Sequence, residues 1–365
     1  MKKKMKAAVY IGEGKIEYRE IDVPKIGPEE ALLKVAFTGL CKTDIKKITN
    51  DLLEPPRIFG HEIVGKIVRV GSKVENLFPG ERVAVFHHVP CLKCFFCLQG
   101  LYSQCKIYQT IDTTAGFGKP SGGGFAEYVK LPALVVNRGI IKIPKKISYE
   151  EAVFIEPTNC CLKAVDKAGI KINETVLILG QGPIGLTLTQ LSKLGGAKVV
   201  ATDLVDYRLR KSKKYGADYI LNANKANLLA KIKLLTEGRG ADKSIVAVES
   251  IAAINQAVQS TRPGGKVIFF FDLIKEREIN LSPHIISHLE VELCGSYSSA
   301  WDLHDISAEL IFNKRIDTAD MITHIFPLKD LSKAVNLAKD RRHVDWNNKR
   351  LLPKFKESFK ILIKP

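Results

Sequence analysis

Half of this chain's eight cysteines fall within fifteen residues, in the run CLKCFFCLQGLYSQC, at Cys91, Cys94, Cys97 and Cys105. A C-x-x-C step puts two thiolates on one tight turn, and zinc takes four thiolates tetrahedrally in closed structural sites. No Asp or Glu lies between the four to compete for a metal. Two other readings stand beside a metal clamp: a disulfide knot and incidental core sulfur. A long chain with few cysteines makes a poor disulfide scaffold, and a reducing compartment keeps thiols free. Four core sulfurs among mostly polar neighbours would be a coincidence. The four cysteines are therefore expected to hold a structural zinc.

A second constellation is TVLILGQGPIGLTLTQL, with Gly180, Gly182 and Gly185 in G-x-G-x-x-G spacing between an apolar strand and a helix. Gly180 allows the tight turn, Gly182 the approach of a pyrophosphate to the backbone, and Gly185 the close packing of helix on strand. Pro183 and Ile184 open the helix, where a missing N–H costs nothing and the helix N-terminus faces the diphosphate. Asp203 closes the next strand, KVVATD, where a carboxylate accepts from both ribose hydroxyls of an adenosine. That favours NAD over NADP, whose 2′-phosphate would meet like charge. A helix N-cap is the rival role for Asp203, and Arg208 or Arg210 offers a route to a 2′-phosphate.

These residues need elements to carry them, and the chain changes texture near Glu156. Up to there, short strand-like runs (KAAVY, ALLKVAFTG, EIVGKIVRVG, ERVAVF, FAEYVKLP) are broken by Gly and Pro turns, which predicts a β-rich unit. After it, TVLILG, KVVATD, DYILNA, KSIVAV and KVIFFF alternate with amphipathic runs such as DYRLRKSKKYGA and ANLLAKIKLLTEG. Such alternation predicts βαβ units in a doubly wound parallel sheet, an α/β fold. Beyond Gly295, WDLHDISAELIFNKR and LSKAVNLAKD read as helices and THIFPL as a strand. From about Arg341 the tail is basic and irregular, too short for its own core, and is expected to pack on an earlier domain.

At 365 residues and 45% hydrophobic content, the chain has room for about two domains and is neither disordered nor fibrous. Its 56 Lys and Arg against 39 Asp and Glu give +17. The lysines are spread along polar faces, and no basic run is interleaved with aromatics, so no nucleic acid partner is expected; attraction of anionic ligands is the minority reading. The basic N-terminus never reaches an apolar core, and no run approaches about 20 apolar residues. No export signal and no membrane span are expected, and the protein is assigned to the cytoplasm.

A third set is scattered: Cys41 in GLCKTD, His61 and Glu62 in FGHEIVG, and Glu156 in FIEPTNC. Gly60-His61-Glu62, with Gly65, Gly71 and Val74 at their intervals, resembles the signature of zinc-dependent medium-chain alcohol and polyol dehydrogenases. The resemblance extends to Cys41-Lys42-Thr43-Asp44, the four-cysteine lobe, GGFAEY, Glu156-Pro157, the glycine turn and GSYS. It implies a GroES-like catalytic domain over 1–157 and 302–365, and a Rossmann NAD-binding domain over 158–301. It further implies a catalytic zinc on Cys41, His61 and a carboxylate: Glu156, as in the sorbitol, threonine and secondary-alcohol branches, with the adjacent Glu62 a near equal. With the lobe, that makes two Zn2+ per chain. Zinc with an open position lowers the pKa of an alcohol so that hydride can pass to a nicotinamide, and in reverse polarises a carbonyl. Thr43 is implied as the residue that passes the hydroxyl proton outward. One departure is Lys46, where relatives often carry a histidine. A protonated lysine is a poor base, so solvent or the ribose hydroxyl is left to finish the relay, and threonine is disfavoured as substrate.

The implied substrate is a secondary alcohol or polyol, with a sugar phosphate allowed by the charge, and the implied assembly is a homodimer or homotetramer. Zinc-free quinone or enoyl reductases of the same superfamily, and a nonenzymatic dinucleotide-binding protein, are the alternatives. His87 and His88 precede the lobe as either pocket or strand-end surface residues. Cys160, Cys161 and Cys294 are expected as buried sulfur.

Overall fold

A computed structural model describes residues 3–119, 121–270, 278–339 and 358–365. They divide into two compact units, Met1–Glu156 with His304–Pro365, and Pro157–Leu303.

In the first unit, β1 (Lys4–Gly12) and β2 (Lys15–Asp22) form an antiparallel hairpin. The following strands are β3 (Ala31–Gly39), β4 (Glu62–Val70), β5 (Arg82–Val85), β6 (Tyr128–Leu131) and β7 (Ile140–Lys142). The second unit contributes β8 (Thr175–Leu179), β9 (Lys198–Asp203), β10 (Tyr219–Asn222), β11 (Ala241–Val246), β12 (Thr261–Phe269) and β13 (Glu292–Gly295). The chain then returns to the first unit through β14 (Ile322–Pro327) and β15 (Lys360–Lys364).

Among the described residues, β14-β15-β3-β4-β5-β7 run side by side, with β6 also paired to β3. All these pairs are antiparallel except β14 with β15. Strand β3 has neighbours on both edges and apolar cover on both faces. That is why ALLKVAFTG is buried almost throughout instead of alternating. Leu331, Ala334, Val335 and Ala338, a stripe at helical spacing in the helix Leu331–Lys339, join Ile361 and Ile363 in the core around Leu33, Ile63, Phe125 and Val129. The C-terminal segment thus completes the core of the β-rich unit. The irregular basic stretch expected from Arg341 lies outside the described residues up to 357.

The second unit is an open parallel sheet in the order β10-β9-β8-β11-β12-β13. Numbered from its first strand, this is the 3-2-1-4-5-6 order of a dinucleotide-binding fold. Every residue of the central β8 is buried, as a parallel strand with helices on both faces requires. Cys161 is fully buried and Cys160 half-buried. Cys160 and Cys294 both differ from the expectation of buried sulfur, Cys294 because β13 is the outermost strand of its sheet.

Candidate metal and dinucleotide sites

The lobe cysteines come together. The Sγ atoms of Cys94 and Cys97 are 3.5 Å apart, those of Cys91 and Cys97 3.9 Å, and the ligand atoms of all four lie within 4.8 Å of one another. No two are bonded to each other. A tetrahedral zinc with bonds of about 2.3 Å sets its sulfurs about 3.8 Å apart, so the cage has the size that such an ion would need. Leu92 takes a left-handed conformation (φ 61°), turning the chain so that the amides of Lys93 and Cys94 donate to the Cys91 sulfur. Those bonds, led by that of Lys93, lower the Cys91 pKa to about 6; burial and the Cys94 thiol push Cys97 up to about 12. A set of thiols with split affinities for protons is what a cation would convert to thiolates.

The sparse set is assembled by sheet register. Gly39 at the end of β3 pairs with Glu62 at the start of β4, so Cys41, just past β3, meets His61 and Glu62. Ligand atoms of Cys41, His61 and Glu62 lie within 4.8 Å of one another. His61 and Glu62 are buried and Cys41 is half-buried. Glu156, the other expected carboxylate, is half-buried in the first turn of the helix Ile155–Ala168. Glu62, the near equal among the expected carboxylates, lies with the sulfur and the imidazole.

Two residues that sequence reasoning left without a role hold this group. Asp44, fully buried, accepts from His61 Nδ1 at 2.9 Å, from the Gly60 amide at 3.2 Å and from the Cys41 amide at 3.3 Å. A carboxylate accepts, so Nδ1 carries the proton and Nε2 is left to a metal. Burial works against the charge on Asp44, but His61, Lys47 and the Gly60 amide outweigh it and keep the carboxyl below its usual range. Burial likewise pushes His61 down, and the charges of Asp44 and Cys41 outweigh it and carry the ring well above the ordinary histidine value. The signal for Asp44 was the capping box, Cys41 to Asp44 at i, i+3, that opens the helix Lys42–Thr49.

Lys360, at the start of β15, ion-pairs with Oε2 of Glu62, and both side chains are buried. Gly39 leaves room for that pair, since a β-carbon there would collide with Glu62 Oε2 and the Lys360 stem. Nothing in the local sequence of Lys360 marks it; its role comes from β15 lying beside β3. Thr43 is exposed in the first turn of the helix Lys42–Thr49. His87 is 7% exposed and His88 half-buried, so neither is a surface histidine.

In the second unit, Gly180 (φ 96°) turns the chain from β8 into the helix Pro183–Leu194. A β-carbon on Gly185 would strike the Gly180 carbonyl, whereas one on Gly182 would meet nothing within 4 Å. The open space at Gly182 faces the N-terminus of the twelve-residue helix Pro183–Leu194, a cradle that fits a diphosphate. Asp203 sits at the end of β9 and accepts from the Gln181 amide at 2.7 Å and the Val205 amide at 3.0 Å. It braces the glycine turn, while Val205 occupies the N-cap of the next helix, so the N-cap role falls away. Arg208 Nη1 lies 3.8 Å from Asp203 Oδ2. No helix among the described residues is long and apolar enough to cross a membrane.

Comparison with known proteins agrees with this anatomy. The family model of the alcohol dehydrogenase GroES-like domain matches residues 27–145, and that of the zinc-binding dehydrogenases matches 183–311. Sorbitol dehydrogenase of Bacillus subtilis is 33% identical over 340 residues, 92% of this chain and 93% of its own. L-threonine 3-dehydrogenase of Pyrococcus horikoshii is 35% identical over 257 residues, 69% of this chain and 71% of its own. A solved zinc-binding dehydrogenase of Sinorhizobium meliloti, bound to NADP, superposes with a TM-score of 0.86 over 100% of both chains at 27% identity. The chain belongs to the zinc-type medium-chain alcohol and polyol dehydrogenases.

Proposed function

We propose that this chain is an NAD-linked dehydrogenase of secondary alcohols or polyols carrying two zinc ions, one on Cys41, His61 and Glu62 and one on the four lobe cysteines. The observation that carries the reading is the convergence of a sulfur, an imidazole and a carboxylate within 4.8 Å, with Nδ1 of the imidazole already committed to Asp44. Quinone and enoyl reductases of the superfamily lack such ligands. Bound zinc would supply Lewis acidity and the bound dinucleotide a hydride acceptor. The chain's own residues do the rest. Asp44 fixes the His61 tautomer, and Lys360 occupies one oxygen of Glu62 and leaves the other for a cation. Thr43 passes the hydroxyl proton outward, and Gly182 admits the diphosphate.

Asp203 supports NAD: its charge opposes a 2′-phosphate, and the hydrogen bonds it accepts from the Gln181 and Val205 amides hold it at the end of β9. The Sinorhizobium structure with NADP and the nearby Arg208 are the counterweight, so cofactor choice is the part to test. Lys46 in the histidine position speaks against threonine and leaves alcohols and polyols, as for the sorbitol dehydrogenase relative. The unbonded lobe thiols fit a reducing cytoplasm. The test is reduction of NAD and of NADP by zinc-replete enzyme across alcohols, polyols and sugar phosphates, with metal analysis. Two zincs per chain and faster turnover with NAD are expected, with Asp203→Ala lowering kcat/KM for NAD about ten- to a hundredfold. One zinc per chain with no turnover would leave only the lobe, and an unchanged preference in Asp203→Ala would remove Asp203 from the account.

A further inference from the structure

Next to the Cys41–His61–Glu62 group lies a second cluster. Ligand atoms of His87, His88 and Asp112 are within 4.8 Å of one another. His87 and Asp112 are 7% and 8% exposed. The His87 ring lies 4.8 Å, centroid to centroid, from His61 and 3.9 Å from His88, so whatever binds at His61 has this cluster as its neighbour.

The cluster is poorly satisfied from within. His87 Nδ1 is buried and has no hydrogen-bond partner. His88 Nδ1 donates to the Ile111 carbonyl at 2.8 Å, which leaves its Nε2 an acceptor. Among the described residues, Asp112 is met only by its neighbour Thr113, through the backbone amide and a long 3.4 Å contact from the hydroxyl. Burial, assisted by the charge of Lys47, keeps His88 neutral, with its pKa down at about 4. It also raises Asp112 to about 7. Buried polar atoms of this kind need partners, and a site that expects hydroxyls rejects ligands that lack them.

We propose that His87, His88 and Asp112 form a subsite for the hydroxyl groups of an uncharged polyol, selecting it over a simple secondary alcohol. The inference rests on the dehydrogenase reading above and names its substrate class. Three atoms spaced up to that limit can share one oxygen placed between them, about 2.8 Å from each, the length of an O–H···O bond. A hydroxyl both donates and accepts, so it can serve the carboxylate and an imidazole together. A third zinc is the rival occupant. It would need bonds of about 2.0–2.1 Å and would add a second dication beside His61, with Lys47 nearby and Asp112 the one carboxylate in the cluster. Charge therefore favours the neutral ligand.

The test compares sorbitol, xylitol and galactitol with 2-butanol, on zinc-replete wild type, Asp112→Asn and His88→Gln. Both variants should lower the ratio of polyol to 2-butanol kcat/KM about tenfold or more, chiefly through polyol KM, and should lose the thermal shift that a polyol gives the NADH-saturated protein. If either variant fails to fold, the other carries the same expectation. A ratio unchanged in the variants, or equal losses on both substrate types, would overturn the subsite. So would wild type that turns over 2-butanol while no polyol reacts or shifts its melting. A third zinc that departs on Asp112→Asn would reassign the cluster to a cation. Absence of turnover with every alcohol would sink the dehydrogenase reading, yet a polyol-induced shift abolished by Asp112→Asn would still support the subsite.

Discussion

The lobe and the Cys41–His61–Glu62 group both gather side chains that could hold a metal, by opposite routes. In the lobe, the cysteines are three, three and eight residues apart, and two short helices and a left-handed residue at Leu92 are enough to close the cage. In the other group, ligands 20 residues apart meet only because β3 and β4 pair in the register that sets Gly39 opposite Glu62. A local cage costs little chain entropy to close and can serve as a clamp. A group suspended between strands inherits the rigidity of the sheet, which is what a reacting centre needs.

Substituting one sulfur in each site breaks that comparison most sharply. Cys41→Ser should leave one zinc per chain and near wild-type melting, and lower kcat/KM about a thousandfold or more as the Lewis acid is lost. Cys97→Ser should also leave one zinc, but with the melting temperature lowered and activity falling only as far as the lobe loosens. If Cys97→Ser abolished turnover at unchanged melting, the assignment of roles would be reversed.

The next largest effect should come from Lys360. Removing one partner of a buried ion pair costs about 3–5 kcal/mol, because the remaining charge is stranded. Lys360→Met strands the Glu62 carboxylate in zinc-free protein, whereas a zinc would partly replace the missing cation. Zinc-free Lys360→Met should melt well below zinc-free wild type and recover most of the gap on adding zinc. Equal losses with and without zinc would mean that Glu62 faces no metal. Glu62→Gln and Glu156→Gln sharpen the point: the first should lose the zinc of this group and the second should keep it.

What could be read in advance follows the same division between local and distant. The parallel sheet was legible because TVLILG, KVVATD and KSIVAV are apolar runs bounded by turns, and their burial matches their composition. The lobe and the glycine turn were legible because their chemistry is contiguous. Strand β2, KIEYREID, escaped notice because its side chains are mostly exposed, and its pairing with β1 is written in backbone hydrogen bonds. Strand β15 escaped because it is five residues inside a basic tail, although it delivers Lys360 to Glu62. Asp112 carries no local mark at all; only folding brings it to His87 and His88.

The smallest effect distinguishes positioning from ligation. Asp44 touches none of the atoms offered to a metal: it holds His61 by Nδ1, and its other bonds go to the amides of Gly60 and Cys41. Outer partners of this kind are worth about ten- to a hundredfold in metal affinity. Asp44→Asn keeps the shape and can still accept from one amide, but it gives up the charge that holds the His61 proton on Nδ1. Zinc affinity of the Cys41–His61–Glu62 group, measured by competition with a chelator, should fall within that range, while the lobe zinc is retained at wild-type affinity. Loss of both zincs together would mean that Asp44 holds the β-rich unit as a whole, and the contrast between a self-contained cage and a register-built centre would lose its meaning.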